Sequence, residues 1–344
     1  MNDLFSDALR QLLDDQCTPA VVRHIEASGD GAALWAHLDS SGFADALVAE
    51  AQSGAGLSLR EAQGVMALCG RYTVPVPLAE TMMARSVLAQ AGLSETGLVD
   101  SAWANAAKGS ITLAQGQLAT DGSLVCANVQ LGRVADAVLV SDAQHTWLLS
   151  TQHAQSSPAS FVLDADLRWS AQHVAAGVKL PKHQDVRLLL GCINAAQLSG
   201  ALLAVFNNTL QYANDRVQFG KAIGKFQAIQ HQLSVMAEHS FAAHMAAQLG
   251  CASDTASPHR VRVAVAKART SEAALEVASL SHSIHGAIGF THEFDLQLFT
   301  RRLHAWRQSG GAESYWHTVL GTELVDHRNG LALDLIRSAT DVTV

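Results

Sequence analysis

Two irregular stretches break an otherwise helical second half: Asp215-Arg216-Val217-Gln218-Phe219-Gly220-Lys221-Ala222-Ile223-Gly224-Lys225-Phe226-Gln227 and Ile284-His285-Gly286-Ala287-Ile288-Gly289-Phe290-Thr291-His292-Glu293-Phe294-Asp295. The first is a hinge. Its Arg216 stands at a helix end, where a guanidinium can fork onto phosphate oxygens. Phe219 and Phe226 offer flat apolar surface, and Gln227 offers an amide for a ring edge. In the second, glycines between two helices allow close backbone approach, and the start of the following helix is suited to an anion.

Outward from these corners, proline spacing sets the frame. Residues 182–257 and 259–344 contain no proline, so long helices are permitted there. Apolar spacing predicts helices over 187–212, 226–249 and 260–285 and a fourth beyond Phe294, with Gly250 as a C-cap. Residues 2–92 also read as helical, with segments at 35–51 and 59–70 and another ending near Ala91. Between them the pattern changes. Ser110–Leu113, Leu124–Val129, Ala137–Val140, Thr146–Leu149 and Ser160–Leu163 are short strand-like runs divided by turn residues. The expected fold is therefore mainly α with a small β domain. Residues 1–97 would form an N-terminal helical domain, 98–178 a middle β domain, and 179–344 a C-terminal four-helix bundle.

Composition narrows the function. Of 344 residues 49% are hydrophobic and only 16% charged, and the net charge is −8. The first hundred residues hold five basic and thirteen acidic side chains; the rest are balanced at eighteen each. No basic cluster is present to meet nucleic acid. The uncharged run from Leu188 to Asn214 tests as a membrane span, but its Asn194, Gln197, Asn207, Asn208 and Gln211 suit a buried bundle helix better. Five scattered cysteines without a CxxC pair, and an acidic N-terminus without a basic leader region, fit the cytoplasm. No metal is expected, because His282, His285, His292 and Glu293 flank a glycine corner rather than share a helix face.

Together the two corners resemble the acyl-CoA dehydrogenase family. Arg216, Gln218, Phe219, Gly220, Ile223, Phe226 and Gln227 match its R-x-Q-F-G-x-x-I-x-x-F-Q corner. His285, Gly286, Gly289, Phe290, Thr291, Glu293 and Asp295 match its H-G-G-x-G-F-T-x-E-x-D/P corner, with Ala287 in place of one glycine. Arg301-Arg302, the Asp30–Trp35 segment and Gly54-Ala55-Gly56-Leu57 extend the likeness more weakly. The resemblance implies FAD at a subunit interface, an acyl-CoA substrate losing its α and β hydrogens, and electron transfer to an electron-transfer flavoprotein. Arg216 would reach the FAD pyrophosphate of a neighbouring subunit, with Gln218, Phe219, Phe226 and Gln227 along the cofactor. Gly286, Ala287 and Gly289 would line its adenine side.

The family's base is missing. One family position for a Glu falls 21 residues after Gly289, on Gly310; the other falls 26 residues before Arg216, on Leu190. The nearest acids are Glu313 and Asp185, with His292, His304 and His317 as further candidates. Ser283 stands where a Gln usually meets FAD, Ala312 where a Thr usually lies, and Asn128-Val129-Gln130 where a flavin-covering W-I-T-N segment is expected. The tail Gly311-Ala312-Glu313-Ser314-Tyr315-Trp316-His317 is similar to short subunits of α2β2 heterotetramers that degrade steroid side chains. The resemblance thus implies a dehydrogenase of fatty or steroid acyl-CoA, as a homodimer or tetramer or as half of a heterotetramer. The alternative is a non-catalytic scaffold subunit that completes a partner's FAD site.

Overall fold

A computed structural model of the chain describes residues 4–93, 108–327 and 331–341. The expected boundary between residues 97 and 98 lies outside the described residues. These fall into two compact units.

One unit holds Met1–Val65, Val74–Leu190 and Asp254–Ala256. It opens with α1 (Leu4–Gln16), α2 (Pro19–Ser28) and α3 (Ala32–Ser40), followed by α4 (Leu59–Arg71) and α5 (Leu78–Gln90). Thr18 caps α2 ahead of Pro19, whose missing N–H costs nothing at a helix start. The helix expected over 35–51 is broken after Ser40, where Gly42 is left-handed and two short 3-10 turns follow at Phe43–Asp45 and Glu50–Gln52. α5 is buried along nearly its whole length.

Two four-stranded sheets follow. β1 (Ile111–Gln115), β4 (Ala137–Ser141), β5 (Thr146–Ser150) and β8 (Val178–Lys179) form one, in the order β1-β4-β5-β8. β2 (Gln117–Leu118), β3 (Leu124–Val129), β7 (Ala165–Trp169) and β6 (Gln155–Pro158) form the other, in the order β2-β3-β7-β6. Among the described strands only β1 and β4 run parallel. Val138, Val140, Trp147 and Leu149 of the first sheet share a core with Leu124, Cys126, Leu167 and Trp169 of the second. Within this unit α5 is bonded into the sheets. The Ile111 N–H donates to Thr81 Oγ1 at 2.8 Å, and Gln130 Nε2 donates to Glu80 Oε1 at 2.8 Å, both buried.

Ser160–Leu163, expected as a strand, is a turn between β6 and β7. The Asp164 N–H closes it onto Phe161 O at 3.0 Å, and the Asp164 carboxylate accepts the Leu131 N–H at 3.0 Å. Its apolar run imitates a strand, but its backbone is spent on that closure.

The other unit holds Met66–Thr73, Gly191–Ser253 and Ser257–Val344. In the first unit a short helix, α6 (Ala171–Ala176), precedes β8. The bundle then consists of α7 (Val186–Asp215), α8 (Gln227–Gly250), α9 (Arg260–His285) and α10 (Leu296–Gln308), followed by α11 (Glu313–Thr322) and α12 (Ala332–Thr340). α7 is long and apolar enough to cross a bilayer, yet 83% of its most apolar window is buried inside the protein, as a bundle's central helix requires. Leu202, Val205, Met236, Val277, Leu303 and Trp306 lie in its core. Gly250, expected as a cap, is still helical. A Cβ there would lie 2.6 Å from that of Ala266, so the residue serves the α8–α9 crossing, and Cys251 ends the helix.

Candidate cofactor and substrate site

The first corner is a two-residue hairpin. α7 ends at Asp215, whose carboxylate accepts from Gln211 Nε2 at 2.9 and 2.8 Å. β9 (Val217–Gln218) and β10 (Lys221–Ala222) pair antiparallel, and the Ile223 N–H closes onto Arg216 O at 2.8 Å. The turn places Phe219 at φ 50° and Gly220 at φ 79°. Both are left-handed, the pattern that fits a hairpin's twist. Phe219 pays local strain for that position and stands 91% exposed. It meets Phe226 edge to face at 6.2 Å, while Lys221 Nζ lies 4.3 Å above the Phe226 ring. Phe226 packs against the bundle core. Arg216 and Gln218 are exposed, and Gln227 opens α8.

The second corner begins where α9 ends. Gly286 adopts φ 68°, ψ −148°, a region open in practice to glycine alone, and nothing lies within 4 Å of where its Cβ would be. Ala287 and Phe290 face solvent, and Gly289 is buried. A Cβ on Gly289 would lie 3.0 Å from that of His285 and 3.1 Å from Leu296.

The residue that joins the corners is Tyr212, which the sequence reading missed. It sits one turn before Arg216, stacks on His285 at 4.2 Å and donates its hydroxyl to His285 O at 3.4 Å. His285 is itself held by Ser281 O at 2.8 Å through Nδ1. Beside this pair, His282 stacks on Phe290 at 4.1 Å and contacts Thr300 Oγ1 at 3.0 Å through Nε2. A shallow groove of about 620 Å³ opens here, lined by His282, Ser283, Phe290 and His304. Ser283 accepts a hydrogen bond from Gln232 Nε2 at 3.2 Å. Burial, with smaller opposing or reinforcing effects of neighbours, holds the imidazoles of His282, His285 and His304 below the usual histidine range.

The candidate base positions have other roles in the fold. Leu190 is buried. Asp185 caps the start of α7, accepting the Leu188 N–H at 3.1 Å. Gly310 and Gly311 form a left-handed pair at φ 67° and 98°, and Trp316 Nε1 donates to both their carbonyls at 3.1 Å. Glu313 opens α11 in an ion pair with Arg307. Burial alone would raise its pKa, but its own backbone N–H, the Arg307 guanidinium and the Lys267 charge outweigh that and lower it. A carboxylate so stabilised is a weak proton acceptor. Of the histidines, His317 reaches Glu272 at 3.2 Å, and His292 is exposed. Among the described residues no group of three or more His, Cys, Asp and Glu side chains is arranged to hold a metal. Glu313→Gln is expected to change any turnover measured with this chain by less than about 3-fold; a loss of ~10²-fold or more would identify Glu313 as the base.

A helical domain, a two-sheet β domain and a helical bundle with these corners make up the acyl-CoA dehydrogenase fold. Two solved assemblies share it: the "Tcur3481-Tcur3483 steroid ACAD G363A variant", at a TM-score of 0.80 and 22% identity over 94% of this chain and 98% of that one, and the ChsE4-ChsE5 complex from Mycobacterium tuberculosis, at 0.76 and 20% over 94% and 96%. Residues 191–321 match the family described as "Acyl-CoA dehydrogenase, C-terminal domain". Acyl-CoA dehydrogenase IpdE2 of Mycolicibacterium smegmatis is 28% identical over 309 residues, 89% of this chain and 93% of its own length. The chain is thus similar to acyl-CoA dehydrogenases in sequence over its C-terminal bundle and in fold over most of its length.

Proposed function

We propose that this chain is a subunit of a cytoplasmic FAD-dependent acyl-CoA dehydrogenase, forming an α2β2 assembly with a homologous chain that carries the base. One contrast supports the reading. The cofactor-type hairpin is kept and turned outward, with Arg216 and Phe219 exposed, while the turn at Gly310 carries no carboxylate and Glu313 is spent on Arg307. The ChsE4-ChsE5 complex and the Tcur3481-Tcur3483 steroid ACAD, which share the fold, support the same reading.

The residues present fit FAD on chemical grounds. An exposed guanidinium suits a pyrophosphate, Phe219 and Phe226 suit a flat ring system, and the open space above Gly286 admits a close approach. Arg216, Gln218, Phe219, Phe226 and Gln227 would hold one half of the cofactor; Gly286, Ala287 and Gly289 would line the adenine side. When bound, FAD supplies the hydride acceptor for α,β-dehydrogenation of a fatty or steroid acyl-CoA, with an electron-transfer flavoprotein as the onward acceptor. The chain's own part is to orient the cofactor, keep water from the reacting carbons, and offer the Gly310 peptide N–H to the thioester oxygen.

Co-expression with a homologous chain tests this. The pair should be yellow and turn over acyl-CoA, while this chain alone is inactive. Turnover with one FAD per chain in the lone protein would overturn the heteromer. An active pair whose FAD does not depend on Arg216 would leave this chain a scaffold. Arg216→Ala should weaken FAD retention by ~10- to 100-fold, the worth of a charge-assisted hydrogen bond to phosphate.

A further inference from the structure

We propose that Lys267 is a positioning residue for the Gly310–Gly311 turn, fixing the peptide groups that this chain brings to the thioester; the proposal rests on the dehydrogenase reading above. Lys267 lies on α9 and is fully buried. Its ammonium has three protons and three acceptors: Ser271 Oγ at 3.0 Å, Arg307 O at 2.8 Å and Gly311 O at 3.0 Å. The acceptors come from three places, one turn further along α9, the last turn of α10 and the glycine turn itself. A methionine would fill the same space without the penalty of burying a charge, so packing alone does not account for a lysine here.

The turn needs such a clamp. Two successive left-handed glycines have the widest conformational freedom of any pair of residues. On one side Trp316 Nε1 reaches the Gly310 and Gly311 carbonyls; on the other Lys267 reaches the Gly311 carbonyl and ties it to the end of α10. The charged groups facing Lys267 are Arg307 and Glu313, which pair with each other. Burial, opposed by Glu313 and reinforced by Arg307, brings the ammonium down to about 7. Both proton states are therefore populated near neutrality. A neutral nitrogen keeps two N–H groups for the carbonyls and accepts from the Ser271 hydroxyl, a weaker clamp with the same partners.

The test follows the Trp316 indole N–H resonance in the ¹⁵N-labelled full chain, assigned with Trp316→Phe, and the kinetics of the co-expressed pair. In the wild type the resonance should titrate with a midpoint of about 7. Lys267→Met should abolish that titration and lower kcat by ~10-fold or more, with KM for acyl-CoA within about 3-fold, as a misplaced turn predicts. An unchanged titration or an unchanged kcat in Lys267→Met overturns the proposal. If that variant does not fold, Ser271→Ala decides: the midpoint should fall by about half a unit or more as the charged form loses an acceptor, and an unmoved midpoint overturns the proposal. A wild-type pair without turnover defeats the dehydrogenase reading instead, and the indole titration then decides the clamp on its own.

Discussion

Replacing Gly200 by alanine should destabilise the helical bundle by about 3 kcal/mol or more, the upper end of overpacking costs. α4 and α7 cross so closely that a Cβ on Gly200 would fall inside the carbonyl oxygen of Ala67, and one on Gly70 inside that of Gln197. The obstacles are backbone atoms of the facing helix on both sides, so no side chain can turn away to make room. The helices must part, which disturbs the packing around Leu198, Ala201 and Leu202, all fully buried on α7. For a unit of this size the cost corresponds to a fall in Tm of roughly 6–12 °C. Gly321→Ala is the matched control. It lies in α11 with nothing within 4 Å of its Cβ position, so the gain in helix propensity should leave Tm unchanged or slightly raised. Thermal unfolding followed by circular dichroism measures both, and equal midpoints for the two variants would refute the crossing argument.

The period of apolar residues carried the bundle. α7, α8, α9 and α10 lie within a few residues of the expected helices, because each must bury one continuous stripe. Periodicity was less informative where the backbone had other work. Phe161-Val162-Leu163 looks like a strand yet closes a turn, and Gly250 looks like a stop yet marks a helix crossing. The two corners were legible as motifs, since their residue types are tied to local geometry. What joins them was not: Tyr212 meets His285 across 73 positions, and nothing in either neighbourhood announces the stack. Glu313 was visible as an acid near the expected base position. Its pairing with Arg307 depends on how the glycine turn folds back, which only the structure supplies. The buried Lys267 was hidden for the same reason, since its three acceptors include two backbone carbonyls, and carbonyls have no sequence signature.

That buried lysine gives the second large expected effect, a rise in stability with pH that disappears in Lys267→Met. Folding lowers the Lys267 pKa from 10.5 to about 7, chiefly through burial. Below pH 7 the folded and unfolded chains both hold the proton, so this group contributes no slope. Between about 7 and 10.5 the unfolded chain keeps a proton that the folded chain has released, and stability rises with pH by ~1.4 kcal/mol per unit. Above 10.5 both have lost it and the slope ends. Across the window the increment is on the order of 4–5 kcal/mol. Other groups titrate there as well, so the quantity to measure is the difference between wild type and Lys267→Met in urea-unfolding free energy at pH 6.5, 8 and 9.5. The wild type should gain on the variant steadily over that range. Parallel curves would mean that the ammonium is solvated or fully compensated in the folded chain, and that its three short contacts do not hold it in a dry interior.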